Sequence, residues 1–303
     1  FSSVFTREDV SNVPQMDECS CSKGMSLCDI RVTPTLVKNK LKELNPNKSQ
    51  GPDLIPPRVL KEVSEVLADP LCCIFNKSLE SGTLPEDWKT AEVTALFKKG
   101  TKTDPGNYRP VSLTCIACKV LESVVRDAMV SHFTDHNLYA ECQHGFRKGR
   151  SCVTQLLEVI ENLTLFMDNG EPIDIIYLDF KKAFDSVPHE RLLMKLSAYG
   201  VCGNTLNWIR NFLTGRSQHV RVGSERSEKA SVLSGIPQGS ILGPILFTVF
   251  INDLPESVQS VIKVFADDTK LYNIASNSTV IQVDINKLQD WSELWNLYFN
   301  VAK

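Results

Sequence analysis

Apolar positions recur at helical spacing along much of the chain. Leu36, Val37, Leu41 and Leu44 follow Thr33-Pro34 and predict a helix that ends before Pro46. Val59, Leu60, Val63, Val66 and Leu67 carry the pattern from Pro57 towards Leu79, with an interruption expected at Pro70 and a stop at Gly82. The clearest stripe is Ala117, Val120, Leu121, Val124, Val125, Ala128 and Met129. Further helices are expected through Leu156, Leu157, Ile160, Leu163 and Met167, from Pro188 through Leu192, Leu193 and Leu196 to Gly200, and over 204–213. A last one runs through Ile281, Ile285, Leu288, Trp291 and Trp295. Ala91 to Phe97, Ile173 to Phe180, Gln218 to Val222 and Ala230 to Leu233 predict strands, and Ile245 to Ile251 is a continuous apolar run. Helices followed by mixed helices and strands, with no internal repeat, place the chain in the α+β class. Residues 1–30 are polar and aperiodic and read as a poorly ordered lead-in.

Within that pattern the informative stretch is Val264-Phe265-Ala266-Asp267-Asp268. An apolar run, two acids and a second β-like run from Lys270 to Ile274 predict a tight hairpin with Asp267-Asp268 at its turn. A lone Asp pair is common in turns, because its side chain bonds the local backbone. A second acid changes the picture. Ile175, Tyr177 and Asp179 share one face of a strand, so Asp179 projects where that strand ends. If the two strands are neighbours, Asp179, Asp267 and Asp268 converge. Carboxylates a few ångströms apart repel by roughly 4 kcal/mol per pair at an effective dielectric of ~20. Such a site calls for hard divalent cations, Mg²⁺ first. Two such ions suit in-line displacement at phosphorus.

Composition adds bounds. A chain of 303 residues, 42% hydrophobic and 23% charged, can bury the core of one or two domains. The net charge of −3 does not mark the whole chain as a nucleic-acid binder. Residues 89–150, however, carry ten Lys/Arg against six Asp/Glu, whereas 1–88 carry ten against thirteen. That basic segment is either a polyanion-binding face or an ordinary solvated surface. The ten cysteines follow no disulfide framework and read as reduced thiols of an intracellular protein, nuclear or cytoplasmic. Cys19-x-Cys21 with Cys28 lacks a fourth metal ligand, and Cys115-x-x-Cys118 lacks a second pair. The histidines, His144 included, have no ligand-like spacing. No apolar stretch approaches transmembrane length, so no membrane is expected, and the start at Phe1 reads as a fragment.

Assembled in order, these stretches resemble the reverse transcriptases of LINE-type (non-LTR) retrotransposons, especially their jockey and chicken-repeat branch. The likeness covers roughly residues 45 to 303. Tyr177-Leu178-Asp179-Phe180-Lys181-Lys182-Ala183-Phe184-Asp185 resembles the first catalytic motif, and Phe265-Ala266-Asp267-Asp268 the second. Ser234-Gly235-Ile236-Pro237-Gln238-Gly239 with Leu242-Gly243-Pro244 resembles the nucleotide-side motif. Asn107-Tyr108-Arg109-Pro110-Val111-Ser112-Leu113 and His144-Gly145-Phe146-Arg147 resemble two fingers motifs. Each alone is weak, but their linked order is specific.

The resemblance implies a right-hand polymerase fold that copies RNA into DNA, with helix-rich fingers and an antiparallel, ferredoxin-like palm. Fingers are expected over 31–170 and palm over 171–303, with a fingers-associated insertion near 201–233. It implies Asp179 and Asp267 as principal ligands of two Mg²⁺ ions (or Mn²⁺ in their place), the Phe180 carbonyl as a further ligand, and Asp268 beside them at the primer end. Arg109 would hold triphosphate oxygens, with Lys98 or Lys99 as a second cation. Gln238 and Gly239 would line the incoming nucleotide, the glycine permitting close backbone approach. Phe184, five residues after Asp179, would exclude a sugar 2′-hydroxyl; on the residues alone it is a buried aromatic. Asp185 is expected to cap the following turn. The implied partners are an RNA template, a DNA primer and deoxynucleoside triphosphates.

The likeness also implies that the chain stops at Asn300-Val301-Ala302-Lys303, before the family's thumb. The last helix, with Trp291 and Trp295, is then expected to lack apolar cover. The alternatives are a catalytically inactive remnant that only binds nucleic acid or a protein, and a template-copying relative such as an intron-encoded maturase.

Overall fold

In the computed structural model, which describes residues 1–16 and 26–300, Thr33 accepts the Leu36 backbone N–H and starts helix α1 (Pro34–Lys42). Helices α2 (Pro57–Glu62) and α3 (Ser64–Ser81) follow, and Gly82 ends α3 in the left-handed region at φ 64°. The expected break at Pro70 lies instead at Val63. Pro70 is exposed one turn after the exposed Val66, so water can take the carbonyl that the ring cannot satisfy.

Strands β1 (Thr90–Phe97) and β2 (Tyr108–Leu113) form an antiparallel pair, and α4 (Ile116–Asp135) carries the expected apolar stripe. Helix α5 (Cys152–Asp168) opens with a capping box between Ser151 and Thr154. Strand β3 (Ile173–Leu178) leads through α6 (Ala183–Ser186) to α7 (His189–Ala198) and α8 (Gly203–Leu213). Strands β4 (Ser217–Val222), β5 (Glu225–Arg226) and β6 (Ala230–Ser231) come next. The continuous apolar run forms helix α9 (Gly243–Phe250), with Pro244 in its first turn and nearly every residue buried. Strands β7 (Val261–Phe265) and β8 (Asp268–Ile274) form the hairpin, and α10 (Ser278–Leu294) closes the order.

Helices and strands thus form an α+β molecule with two sheets. The five-stranded sheet runs β2-β1-β4-β5 with β6 on β4, and β1 and β4 pair in parallel. The three-stranded sheet, in the order β3-β8-β7, is antiparallel. One contiguous core links Val32 at one end to Leu297 at the other, through α3, α4 and α7 to α10.

Four sequence expectations need correction. Helix α5 turns its apolar stripe outward: Leu156, Leu157, Ile160 and Met167 are exposed, while Gln155 and Val159 are buried. The sheet face it meets is polar, so α5 presents Glu158 to Lys263 (2.5 Å), Gln155 to Lys270 (2.7 Å) and Asn162 to the Tyr272 hydroxyl (2.8 Å). The described part of the lead-in is fastened down. Glu8 accepts the Glu190 and Arg191 backbone N–H groups and the Arg191 guanidinium, while the Thr6 N–H donates to Ser234 Oγ at 2.7 Å. Cys28 and Cys202 form a disulfide, although Cys19 and Cys21 lie outside the described residues. That pairing spans 174 positions and follows from backbone bonds of Leu27 to Gly200 and Cys202, which local spacing does not encode.

The fourth concerns Trp291 and Trp295, which are 6% and 4% exposed rather than uncovered. Both rings pack edge-on against Phe250, and all three surround the fully buried Lys195, whose Nζ lies 3.7 Å from the Trp295 ring centre. Lys195 donates to the Phe250 carbonyl at 2.7 Å and pairs with Asp253, which also accepts the Trp291 indole N–H. Burial lowers its pKa from 10.5 to about 8, against the pull of Asp253.

Between pH 8 and 10.5 the unfolded chain therefore binds more protons at this position than the folded one, and stability from this group rises with pH. Lys195→Met removes that linkage. Urea titrations from pH 7.5 to 10 should show wild type gaining on the variant by about 1–3 kcal/mol. A constant difference would place the proton elsewhere.

Candidate active site

The hairpin and β3 are set by their registers. Leu178 pairs with Thr269 as the last pair of the β3–β8 ladder, with Asp179 next after Leu178 and Asp268 next before Thr269 in the chain. Phe265 pairs with Asp268, which leaves Ala266 and Asp267 as the two-residue turn. The sequence expectation put both acids in the turn; Asp268 in fact opens β8, and β8 rather than β7 is the neighbour of β3. Ala266 has φ 55°, a conformation an alanine rarely adopts unless its surroundings impose it.

Those surroundings come from residues 142–145. The Val264 N–H donates to the Cys142 carbonyl and the His144 N–H to the Val264 carbonyl, which fastens this segment along β7. Gln143 is 2% exposed, and its Oε1 accepts the N–H groups of Gly145 (2.7 Å) and Ala266 (3.1 Å). A Cβ on Gly145 would lie 2.5 Å from the Ala266 nitrogen, so only glycine allows this approach. His144, buried and with its pKa lowered by burial, meets Thr154 at 3.0 Å and Glu158 at 3.3 Å, tying the segment to α5.

Asp179 is positioned by residues just ahead of the chain end. The Asn300 N–H donates to its carbonyl at 2.7 Å, and the Asn300 amide lies 3.4 Å from its Oδ2. Phe180 stacks on Phe299 with ring centres 4.7 Å apart and is buried, so its side chain belongs to the core.

All the sequence-derived candidates line one open cleft of about 870 Å³. Asp179, Phe180, Asp267 and Asp268 line it, and so do Lys98, Lys99 and Arg109. Phe184, Gln238 and Gly239 complete it, together with Asp185 and Asn300. The three basic residues are exposed at the end of β1 and the start of β2. Phe184 lines the cleft and also stacks on Phe247, with ring centres 4.8 Å apart and planes 19° from parallel. Among the described residues, no group of three His, Cys, Asp or Glu side chains is gathered to hold a metal ion. None of their helices is long and apolar enough to cross a membrane.

The glycine expected to approach a nucleotide makes its close approach to protein. Gly239 has φ 113°, and an added Cβ would lie 2.7 Å from the Ser112 carbonyl oxygen, while the Gln238 carbonyl accepts the Ser112 N–H at 2.7 Å. The loop is thereby sewn to β2. Asp185 does not cap the following turn; its Oδ1 accepts Gln238 Nε2 at 2.9 Å. Burial raises its pKa, opposed by the Gln238 bond and the charges of Lys182 and Arg109. Further on, fully buried Glu122 of α4 accepts the N–H groups of Ile241 (2.7 Å) and Leu242 (3.2 Å) at the entry to α9. Sequence reasoning did not single out Gln143, Asn300 or Glu122. Each acts through backbone groups distant in the chain, and no local pattern marks them.

Comparison with known proteins finds relatives over most of the chain. A family profile described as reverse transcriptase (RNA-dependent DNA polymerase) matches residues 97–303. The RNA-directed DNA polymerase from mobile element jockey of Drosophila melanogaster is 32% identical over 292 residues, covering 92% of this chain and 32% of that protein. The probable RNA-directed DNA polymerase from transposon X-element of the same species is 29% identical over 269 residues, covering 85% and 29%. A putative 115 kDa protein in the type-1 retrotransposable element R1DM is 27% identical over 256 residues, covering 83% and 24%. The chain therefore spans about a third or less of these relatives.

Gln143 should govern the acid turn without supporting the core. Gln143→Ala leaves the Ala266 and Gly145 N–H groups without their acceptor, at a cost of about 1–3 kcal/mol. Amide exchange should accelerate at those two positions while α4 and α9 keep their protection. Unchanged exchange at Ala266 would deny the clamp.

Proposed function

From the premise that the chain belongs to the reverse transcriptase (RNA-dependent DNA polymerase) family, whose profile matches most of its length, we propose that it copies an RNA template into DNA by nucleotidyl transfer at this cleft. The observation that carries the reading is the meeting of Asp179, Asp267 and Asp268 with Arg109 and Gln238 in one cleft. Acidic and basic side chains line the same cleft, which is large enough for a triphosphate. We assign the helix-rich part with the β1–β2 pair to the fingers and the β3-β8-β7 sheet to the palm of a right-hand polymerase.

The donor set fits Mg²⁺. Carboxylates and the Phe180 carbonyl are hard oxygen donors, and Mg²⁺ takes one or two carboxylates plus substrate phosphates rather than a cage made wholly of protein. Asp179 and Asp267 would hold two ions, with Asp268 and the Phe180 carbonyl beside them. Bound there, the ions supply a lowered pKa for the primer 3′-hydroxyl and charge neutralisation on the triphosphate.

The chain's own residues do the positioning. Arg109 offers a guanidinium fork to phosphate oxygens, and Lys98 or Lys99 a point charge. Phe184, held by Phe247, excludes a ribose 2′-hydroxyl, and Gln238 meets the sugar. The substrates on this reading are an RNA template, a DNA primer and deoxynucleoside triphosphates, and the site of action is inside the cell.

Single-nucleotide addition to an RNA-templated DNA primer tests the assignment. Asp267→Asn should lower the rate by roughly 10²–10³-fold or more with an unchanged melting temperature. Near-normal addition would remove Asp267 from the site. In the same assay Phe184→Val should raise UTP use relative to dTTP by at least roughly tenfold. An unchanged ratio would return Phe184 to the core.

A further inference from the structure

Helix α5 has its two faces the reverse of an ordinary surface helix. The side towards the sheet carries Gln155, Glu158 and Asn162, which bond to Lys270, Lys263 and Tyr272. On the other side Val153, Leu156, Leu157, Ile160 and Met167 are between 42% and 70% exposed. Together they leave roughly 600 Å² of apolar surface open, the upper end for a protein that stays alone in water. That area approaches the ~800 Å² that each partner of a stable dimer buries.

The exposed positions form a seam. Val153, Ile160 and Met167 recur every seven residues, and Leu156 and Leu157 follow Val153 by three and four. This is the heptad spacing of helices that pack along their length, and half-buried Leu163 continues it. The seam is symmetric about Ile160, which lies midway between Cys152 and Asp168, the ends of α5. Val153 and Met167 stand seven residues to either side of it, and Leu157 and Leu163 three. The charges are not symmetric. Lys148 and Arg150 precede the helix, whereas Asp168 and Glu171 stand at its end, and Lys148 and Asp168 are exposed.

A second copy laid antiparallel satisfies both features at once. We propose that the outer face of α5 is an interaction surface for a second copy of this chain, packed as an antiparallel helix pair about a two-fold axis at Ile160. Around that axis Val153 meets the partner's Met167 and Leu157 meets the partner's Leu163. The basic start of each helix then meets the acidic end of the other, whereas parallel packing would set like charges together. A two-fold contact of this kind uses the same patch on both copies, so it closes into a dimer and does not grow into a filament. The pairing stands on α5 alone and is independent of the nucleotide-site reading above.

The test is sedimentation velocity of the 303-residue chain at low salt over a hundredfold range of concentration. Wild type should form a dimer with a Kd of about 10 µM or tighter. Ile160→Glu sets two carboxylates together at the axis and should weaken the dimer by at least roughly 100-fold. Its melting temperature, read below the dimer Kd, should not change, because the side chain is exposed in the single chain. Lys148→Glu and Asp168→Lys should each weaken the dimer several-fold, and the two together should restore it, because the exchanged charges again meet their opposites. A monomer at every concentration, or an unchanged Kd in Ile160→Glu, would overturn the proposal. A double charge variant that pairs more weakly than either single one would overturn the antiparallel axis, and the proposal with it.

Discussion

Asp179, Asp267 and Asp268 line one cleft, and the segments that carry them are fastened through the backbone. Here the β3–β8 register pairs Leu178 with Thr269, the neighbours of Asp179 and Asp268, and the Asn300 N–H donates to the Asp179 carbonyl. Gln143 takes the N–H of Ala266, the residue whose left-handed conformation makes the acid turn. None of these bonds is made by a carboxylate oxygen of the turn. These fastenings of the acid-bearing segments use uncharged groups.

The Gln238–Gly239 part of the cleft is held in the same way with different groups. The Gln238–Gly239 loop is sewn to β2 at Ser112, to α6 through Asp185, and to α4 through Glu122 just before α9. Glu122 and Lys195 are costly groups to bury, since a charge removed from water must recover its hydration from partners. Glu122 recovers it from two backbone N–H groups at the start of a helix, and Lys195 from Asp253, a carbonyl and three aromatic rings. Both charges lie between elements that position the cleft, where a misfit would move α9 or α10 and the residues they carry. The described part of the lead-in joins this part from outside, through Thr6 on Ser234 and Glu8 at the head of α7.

The cleft gathers residues from both sheets. Lys98, Lys99 and Arg109 beside the β1–β2 pair and Asp179, Asp267 and Asp268 at β3 and the hairpin line it together, although they belong to different sheets. The contiguous core takes in Ile262, Val264 and Leu271 of the hairpin but no residue of β1 or β2, whose link to the cleft runs through the Ser112 N–H and the Gln238 carbonyl. An arrangement of that kind suits transfer of a phosphoryl group, where positioning and charge neutralisation do most of the work.

By itself the sequence determined what repeats or alternates locally. The stripe of α4, the caps at Thr33 and Gly82, the strand before Asp179 and the hairpin around Asp267 were all legible, because period and turn chemistry are properties of neighbouring residues. So were the candidate residues of the cleft, through their linked order. Tertiary structure alone decided the rest. It turned α5's apolar stripe outward because the sheet beneath it is polar, and it joined Cys28 to Cys202 because Leu27 is bonded to Gly200. It covered Trp291 and Trp295 around a buried lysine, and it set Gln143, Asn300, Glu122 and Asp185 as the residues that hold the site. The reason is common to all of these. Each depends on which backbone N–H or carbonyl lies opposite a side chain dozens of residues away, and that partner exists only once the chain has packed.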